Sequence, residues 1–270
     1  MDIIQRKSNR IYANLVKNTN PKKTGMLASG RPYVFKNKEK YIWSEVKSKI
    51  GLKKNHNILD IGCGCGYILE NLIKLAANNN FHLTLIDIPE VINTIKKQKI
   101  YQKNKNVVRL ISGTFPHDFK KMNLGNEKFD RIIAYSVLHY SGVPKKFIEQ
   151  GVSLLSPHGV FLVGDIPNLS KKGRFVSNDF GRKFDAQYKN IPLTAYPFYK
   201  NHKDFFRKNK EVAGELLSDD FMIKIMKKYR DLGYDVYVLP QKSILPFSYT
   251  REDFLFINKN DIPLAISADA

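Results

Sequence analysis

Three glycines and both cysteines of this 270-residue chain alternate within residues 58–68, which read ILDIGCGCGYI. Glycines in such a loop let the backbone approach a bound nucleotide because they carry no Cβ. The cysteines raise the alternative of a metal or redox site. However, a metal would need further ligands at workable spacing, and a disulfide between residues i and i+2 would be badly strained. The segment therefore predicts a ligand-binding backbone loop that holds no metal.

The spacing of the glycines excludes two common phosphate-binding loops. A G-x-G-x-x-G dinucleotide fingerprint would place its third glycine at Tyr67, and a G-x-x-x-x-G-K-[ST] loop would need a Lys-Ser/Thr pair that does not follow. The pattern is instead Asp60-x-Gly62-x-Gly64-x-Gly66.

The elements around this loop alternate in the manner of strand-helix units. Short β-branched runs predict strands, and longer amphipathic runs predict helices between them. The predicted strands are 57–61, 82–87, 106–111, 129–135 and 158–165, and the predicted helices are 66–78, 90–99, 144–155 and 218–231. Two late strands, YDVYVLP and DFLFIN, are joined by a stretch too short for a crossover helix, so we expect them to be antiparallel. This order predicts an α/β fold with a largely parallel sheet.

Two segments do not fit the alternation. Residues 1–56 are predicted to be helical near 38–50, and residues 166–213 are rich in proline and aromatic residues and are expected to be irregular. Long irregular stretches inside a compact domain are commonly lids or binding loops. We therefore expect a domain over 57–270, an N-terminal cap or lid over 1–56 and a substrate-side insertion over 166–213; a purely structural insertion is the alternative.

The string ILDIGCGCG closely resembles motif I of the class I S-adenosylmethionine-dependent methyltransferases, and the resemblance extends over roughly residues 57–258. It implies a Rossmann-like, seven-stranded, mostly parallel sheet with an antiparallel last strand and helices on both faces. It also implies S-adenosyl-L-methionine as the cofactor, with its methionine part held by the glycine loop.

The same resemblance assigns cofactor contacts residue by residue. Asp87, at the end of the second strand, matches the acid that accepts hydrogen bonds from the ribose hydroxyls, and Ile88 matches an apolar adenine contact. Asp60 is expected near the ammonium group. Thr114 departs from the family, which often has an aspartate there for the adenine amino group; Phe115 is expected to pack on the ring. The full implied set is Asp60, Gly62, Cys63, Gly64, Gly66, Asp87, Ile88, Thr114, Phe115 and Tyr135.

The acceptor side is predicted from the segment FDRIIAYSVLHYSG, whose VLHY string resembles small-molecule methyltransferases. The segment lacks the Asp/Asn-Pro-Pro-aromatic sequence common in enzymes that methylate base amines. His139 is one candidate general base because its ordinary pKa lies near neutrality, and Asp165, at a strand end, is a second. Packing under the cofactor is the alternative for His139.

Short strings at 164–175 and 26–36 resemble methyltransferases of bacterial surface-glycan biosynthesis. They lie in the two basic segments, and an anionic sugar or nucleotide sugar would need cations nearby. The implied acceptor-binding residues are Arg31, Tyr33, Tyr140, Lys171, Lys172 and Arg174.

Charge and hydropathy limit the kinds of partner that the chain can have. The net charge of +20 is concentrated in residues 1–56, with 14 Lys/Arg against 3 Asp/Glu, and in residues 166–213, with 11 against 4. This distribution favours an anionic partner, with compositional drift as the alternative. No apolar run is long enough to span a bilayer and no secretory signal is visible, so we expect a cytoplasmic protein.

We therefore predict a methyltransferase acting on an oxygen, or less readily a nitrogen, of a small anionic acceptor. Two alternatives remain open at this point. One is an RNA methyltransferase, suggested by the basic segments; the other is an inactive, cofactor-binding partner subunit, suggested by Thr114 and by the lack of an unmistakable base.

Overall fold

The computed structural model describes residues 3–18, 38–124, 126–209, 217–245 and 247–259. The predicted acceptor residues Arg31 and Tyr33 lie outside these ranges. The helices are α1 Ile3–Asn18, α2 Glu39–Ile50, α3 Tyr67–Asn79, α4 Pro89–Lys97, α5 Lys99–Lys103, α6 Pro144–Ser153, α7 Leu169–Val176, α8 Asp179–Tyr188, α9 His202–Lys208 and α10 Asp219–Asp231. The strands are β1 Asn57–Ile61, β2 His82–Asp87, β3 Val108–Ser112, β4 Phe129–Tyr135, β5 Leu155–Pro167, β6 Tyr234–Pro240 and β7 Arg251–Asn258.

The seven strands form one sheet in the order β3-β2-β1-β4-β5-β7-β6. Strands β1 to β5 pair in parallel, whereas β7 lies antiparallel to both β5 and β6. The predicted fold class, including the antiparallel last strand, is confirmed. Strands β3, β2 and β1 end side by side, so the loops that follow them meet at one edge of the sheet, where open α/β folds bind ligands.

Helices cover both faces of the sheet because the central strands are apolar on both sides. On one face, α2, α3 and α4 bury Val46, Leu69 and Ile92 against β1 and β2. On the other face, α6 and α10 bury Phe147 and Phe221 against β4, β5 and β7.

Several predicted boundaries are wrong by a few residues. The helix predicted over 144–155 ends at Ser153, and the following strand starts at Leu155 rather than at 158. The strand predicted over 106–111 is displaced to Val108–Ser112. The helix predicted over 90–99 is split into α4 and α5, because Gln98 between them has an extended backbone conformation.

Two larger features were missed. The expectation of an irregular stretch over 166–213 is wrong, because that segment contains α7, α8 and α9. Each of these helices begins after an asparagine whose side chain accepts a hydrogen bond from a backbone N–H of the first turn, namely Asn168, Asn178 and Asn201. The other missed feature is α1, which precedes the only N-terminal helix that the sequence predicted.

Among the described residues, no helix combines the length and the hydropathy that a bilayer crossing requires.

The contact between α6 and β5 yields the first prediction. A Cβ added at Gly151 would lie 2.3 Å from Phe161 Cε1, well inside contact distance. Alanine in place of glycine inside a helix ordinarily adds about 1 kcal/mol of stability. Here we expect Gly151→Ala to lower the free energy of unfolding by about 1–3 kcal/mol through overpacking, measured by urea denaturation.

Exposed Glu149 on the same helix gives the control, since Glu149→Ala should change stability by less than about 0.5 kcal/mol. Phe161→Leu combined with Gly151→Ala should cost less than the two changes added together. A Gly151→Ala chain as stable as the wild type would contradict the packing of α6 on β5.

Candidate active site

The loop after β1 is folded tightly by its glycines. Gly62 and Gly64 have positive φ angles of 69° and 61°, where other residues are strained. A Cβ on Gly62 would lie 2.6 Å from a Val137 side-chain carbon, so its absence makes room for the segment after β4. Gly62 N–H donates to the Ile86 carbonyl at 2.8 Å, which joins the loop to the end of β2.

Asp87 is the second anchor of the loop. Its Oδ2 accepts a hydrogen bond from Gly64 N–H at 2.8 Å, and its Oδ1 accepts one from Ile88 N–H at 2.7 Å. Burial raises the pKa of Asp87 to about 6, although these two N–H groups act in the opposite direction. Each carboxylate oxygen has more than one acceptor position, so Asp87 can still receive hydroxyl donors from a ligand.

Asp60 is buried at the end of β1. Burial, together with the nearby charge of Asp87, raises its pKa from the ordinary 3.8 to about 8. Its Oδ2 is buried and accepts no hydrogen bond from any described residue. A buried acceptor without a donor is costly, and a cationic donor on a ligand would stabilise the carboxylate.

A cavity of about 340 Å³, which we call the loop cavity, opens beside these groups. Its size is within the usual range for small-molecule sites. Nine of the ten residues expected to contact a cofactor line it: Gly62, Cys63, Gly64, Gly66, Asp87, Ile88, Thr114, Phe115 and Tyr135. The tenth, Asp60, is not in the cavity wall but lies directly before the loop.

Helix α1 supplies a wall of the loop cavity that sequence reasoning missed. Gln5, Asn9 and Tyr12 lie one helical turn apart and face the cavity. Gln5 Nε2 donates to the Phe115 carbonyl at 3.2 Å, and Asn9 Nδ2 donates to Thr114 Oγ1 at 3.1 Å. The spacing of Ile4, Tyr12, Leu15 and Val16 could have predicted the helix, but nothing in the sequence indicates that it reaches the loop after β3.

A second cavity, of about 260 Å³, lies between the end of β4 and the insertion, and we call it the insertion cavity. Tyr140 lines both cavities and so marks where they adjoin. Aromatic side chains form much of the wall of the insertion cavity. They include Phe175, Phe184, Tyr188, Phe247 and Tyr249, and the polar lining residues include His139, Lys172, Asp185 and Arg251.

The two candidate bases lie in different surroundings. His139 lines the insertion cavity, with its ring centroid 4.0 Å from that of Tyr140. Asp165 lines neither cavity and is 2% exposed. Its backbone N–H donates to Asp253 Oδ1 at 2.8 Å and its carbonyl accepts from Arg251 at 2.9 Å. The structure therefore brings His139, and not Asp165, to a cavity.

The cations predicted to bind the methyl acceptor also lie in different surroundings. Lys171 Nζ donates to the Arg251 carbonyl at 2.9 Å, and Arg174 forms an ion pair with Asp219, so both have partners within the protein. Lys172 lines the insertion cavity and is half-buried. Burial lowers the pKa of Lys172, whereas the charge of Asp185 acts in the opposite direction.

Both cysteines are free and buried in the loop. Burial, together with the charge of Asp87, raises the pKa of Cys65 to about 12, so its thiol stays protonated at neutral pH. Within the described part of the chain, no group of three or more His, Cys, Asp or Glu residues is arranged to hold a metal ion.

Comparison with protein families gives one domain match. The family described as "Methyltransferase domain" matches residues 52–227, which is more than half of the chain. The match covers β1 to β5, the loops after those strands that line the loop cavity, and the whole of the insertion, whereas α1 and α2 precede it.

Two curated relatives are methyltransferases, and one solved structure shares the fold. The chain is 26% identical over 145 residues to the uncharacterized methyltransferase YdaC of Bacillus subtilis (strain 168), across 53% of this chain and 74% of that protein. It is 22% identical over 176 residues to the mitochondrial ubiquinone biosynthesis O-methyltransferase of Dictyostelium discoideum, across 63% of this chain and only 51% of that protein. A SAM-dependent methyltransferase from Aquifex aeolicus has a similar fold, with a TM-score of 0.51, 16% identity, and coverage of 91% of this chain and 97% of that one.

The raised pKa of Asp60 yields a prediction on stability. Between pH 3.8 and about 8, the carboxyl group of Asp60 keeps its proton in the folded chain and loses it in the unfolded chain. The stability that Asp60 contributes is therefore full at low pH and is lost as the pH rises toward about 8. We expect Asp60→Asn to flatten the decline in unfolding free energy between pH 5 and 8, and to exceed the wild type in stability at pH 8. Urea denaturation without ligand measures both.

The matched control is Asp231→Asn, because Asp231 lies on the surface in an exposed pair with Lys227. That variant should follow the wild-type curve at every pH. Parallel curves for Asp60→Asn and wild type would contradict the burial of an unpartnered carboxyl group at position 60.

Proposed function

This chain belongs to the family described as "Methyltransferase domain" and is a class I S-adenosylmethionine-dependent methyltransferase; from that premise we propose that it methylates an oxygen atom of a small anionic acceptor. A nitrogen atom is the second choice. A sugar or nucleotide sugar of glycan biosynthesis is the acceptor that we propose. The observation that carries the proposal is the pair of adjoining cavities, one lined by the glycine loop and Asp87, the other containing Lys172.

The loop cavity and the end of β1 beside it have acceptors that fit the donors of the cofactor. Asp87 can accept from the two ribose hydroxyls, and Asp60, whose Oδ2 lacks a donor from the described protein, suits the ammonium group. S-adenosylmethionine, when bound, supplies an electrophilic methyl group on its sulfonium. The glycine loop, Asp60 and Asp87 would hold that cofactor at the carboxyl ends of β1 and β2.

The insertion cavity is the proposed acceptor site. It adjoins the loop cavity at Tyr140, where an acceptor oxygen would have to approach for an in-line displacement. Lys172 carries the charge that would hold the anionic part of the acceptor, and the aromatic side chains around it give apolar contact to a ring. Because the cavity has little room beyond one small molecule, it supports a small acceptor.

His139 is the proposed general base. Its imidazole lines the insertion cavity next to Tyr140, within the same wall as Lys172. An imidazole can take the hydroxyl proton near neutral pH while the new oxygen–methyl bond forms. Asp165 is proposed in a supporting role, since its backbone and carboxylate are held by Asp253 and Arg251.

We also propose that the two basic segments cover the carboxyl edge of the sheet. Support comes from α1, which lines the loop cavity, and from α7 and α8, which line the insertion cavity. In this proposal the segment 1–56 closes over the cofactor and the segment 166–213 closes over the acceptor.

RNA methylation is the second candidate, favoured by the net positive charge of these segments. Many described cations of the insertion are already paired within the protein: Arg174 with Asp219, Lys189 with Asp185, and Arg207 and Lys208 with Asp204. Paired cations offer less to a phosphate backbone, which supports the small acceptor. RNA binding whose affinity falls steeply with salt concentration would favour RNA methylation instead.

The cofactor assignment predicts a loss of binding at Asp87. We expect Asp87→Ala to weaken the binding of S-adenosylhomocysteine by about 10- to 100-fold, because it removes charge-assisted acceptors for two hydroxyls. Isothermal titration measures the dissociation constant. Asp231→Ala, a surface change, should bind as the wild type does, and equal affinity in Asp87→Ala would make the cofactor assignment wrong.

The acceptor assignment predicts a loss of transfer at Lys172. With labelled S-adenosylmethionine and a fractionated cell extract, we expect the wild type to label an anionic small-molecule fraction. Lys172→Met should reduce that labelling at least about tenfold, since it removes the half-buried cation of the insertion cavity. Lys183→Met, which removes an exposed cation of α8, should not change it.

Three results would contradict this assignment. Label that enters RNA would support the rival, and equal labelling by Lys172→Met and Lys183→Met would exclude Lys172 as the acceptor contact. Absence of turnover with every fraction, while cofactor binding is retained, would favour an inactive partner subunit.

A further inference from the structure

Gln5 of α1 lines the loop cavity and carries a buried acceptor. The residue is 6% exposed and lines the cavity wall. Its Nε2 donates to the Phe115 carbonyl at 3.2 Å. Because a carbonyl can only accept, this bond fixes which end of the amide is nitrogen and leaves Oε1 as the free end. Oε1 is buried and receives no hydrogen bond from the described residues.

The order of the strands indicates which part of a bound cofactor reaches Gln5. Neighbouring strands run β3-β2-β1, and the residues after them form one edge. On the proposed function, on which this inference rests, Asp60 follows β1 and takes the ammonium group, and Asp87 follows β2 and takes the ribose. Phe115 follows β3, so the adenine comes next along the edge, against Phe115 and Gln5.

The hydrogen-bond donors of the cofactor match these acceptors in number and order. The N–H and O–H donors of the cofactor are its ammonium group, its two ribose hydroxyls and its adenine 6-amino group. Asp60 would accept from the ammonium group and Asp87 from the hydroxyls, which leaves the 6-amino group. Thr114, after β3, already accepts from Asn9 Nδ2 at 3.1 Å, and its backbone N–H donates to Asp118. His117 Nε2, also after β3, is buried without a partner as well, but His117 does not line the loop cavity. Among the described residues that line the cavity at its β3 end, Gln5 Oε1 is the buried side-chain oxygen that receives no hydrogen bond.

We propose that Gln5 Oε1 accepts a hydrogen bond from the 6-amino group of the cofactor's adenine, and that it selects an amino group over an oxo group at that position. An oxo group there would face the Gln5 oxygen as a second acceptor. Both oxygens would then be buried without a proton between them, which is costly. Gln5 is thus a specificity-determining residue supplied by α1 in place of an acid at position 114.

Two probes differ at this atom, S-adenosylhomocysteine with a 6-amino group and S-inosylhomocysteine with a 6-oxo group. Isothermal titration of the full chain should give the wild type a preference of roughly 10- to 100-fold for the amino compound. In Gln5→Met, which keeps the length of the side chain without the amide, we expect the preference to fall below about threefold. This loss of preference should come mainly from weaker binding of S-adenosylhomocysteine, with the affinity for S-inosylhomocysteine nearly unchanged.

Gln150→Met is the matched control. Gln150 also has a buried Oε1 without a partner among the described residues, but it lies on α6 and lines neither cavity. That variant should retain the wild-type preference. Thermal unfolding of each variant verifies that it is folded at the titration temperature, and Gln5→Leu provides a second apolar replacement should Gln5→Met not fold.

The outcomes separate this inference from the proposed function. If the wild type binds neither probe, the cofactor assignment itself is wrong. If the wild type prefers the amino compound and the Gln5 variants keep that preference, the role of Gln5 is overturned while the cofactor assignment stands. Loss of the preference in the Gln5 variants alone supports the inference.

Discussion

Two carboxyl groups lie at the ends of adjacent parallel strands, Asp60 buried and Asp87 half-buried, and the rest of the site depends on how their loss of solvent is compensated. Asp87 is partly satisfied by the backbone N–H groups of Gly64 and Ile88, which also set the shape of the glycine loop. Asp60 has no such donor for its Oδ2. Burial and the neighbouring charge therefore raise its pKa, and a cationic ligand group is the natural partner that would keep it ionised.

The proposed acceptor side depends on a different element, the antiparallel strand β7. Asp165, two residues before the end of β5, has a positive φ of 58° although it is not glycine. Such a conformation persists only where the surroundings hold it. Here Asp253 of β7 accepts the Asp165 N–H, and Arg251 of β7 donates to its carbonyl. Lys49 of α2 in turn forms an ion pair with Asp253 at 2.7 Å. Residues of α2 and β7 therefore together hold the end of β5, from which the insertion begins.

The sequence predicted the sheet and the loop because both are local properties. Runs of β-branched residues indicate strands, and a spacing of three glycines after a strand predicts a tight ligand loop. The failures have two causes, a local signal that was overlooked and contacts between distant parts of the chain. The prolines at 167, 192 and 197 made the insertion look irregular, although the Asn caps at 168, 178 and 201 were a usable helix signal. The role of Gln5 was not predictable, since it requires α1 to meet a loop about 110 residues away. Asp165 and His139 looked equivalent by position, and only burial and cavity lining distinguish them.

The central claim is that one cofactor lies across the ends of β1, β2 and β3, with its parts in that order. A crystal structure of the chain with S-adenosylhomocysteine tests this most directly. The account predicts the amino-acid part at the glycine loop near Asp60, the ribose hydroxyls on Asp87, and the adenine between Ile88 and Phe115 with its amino group at Gln5. A ligand in the opposite orientation, or one bound outside the loop cavity, would contradict it.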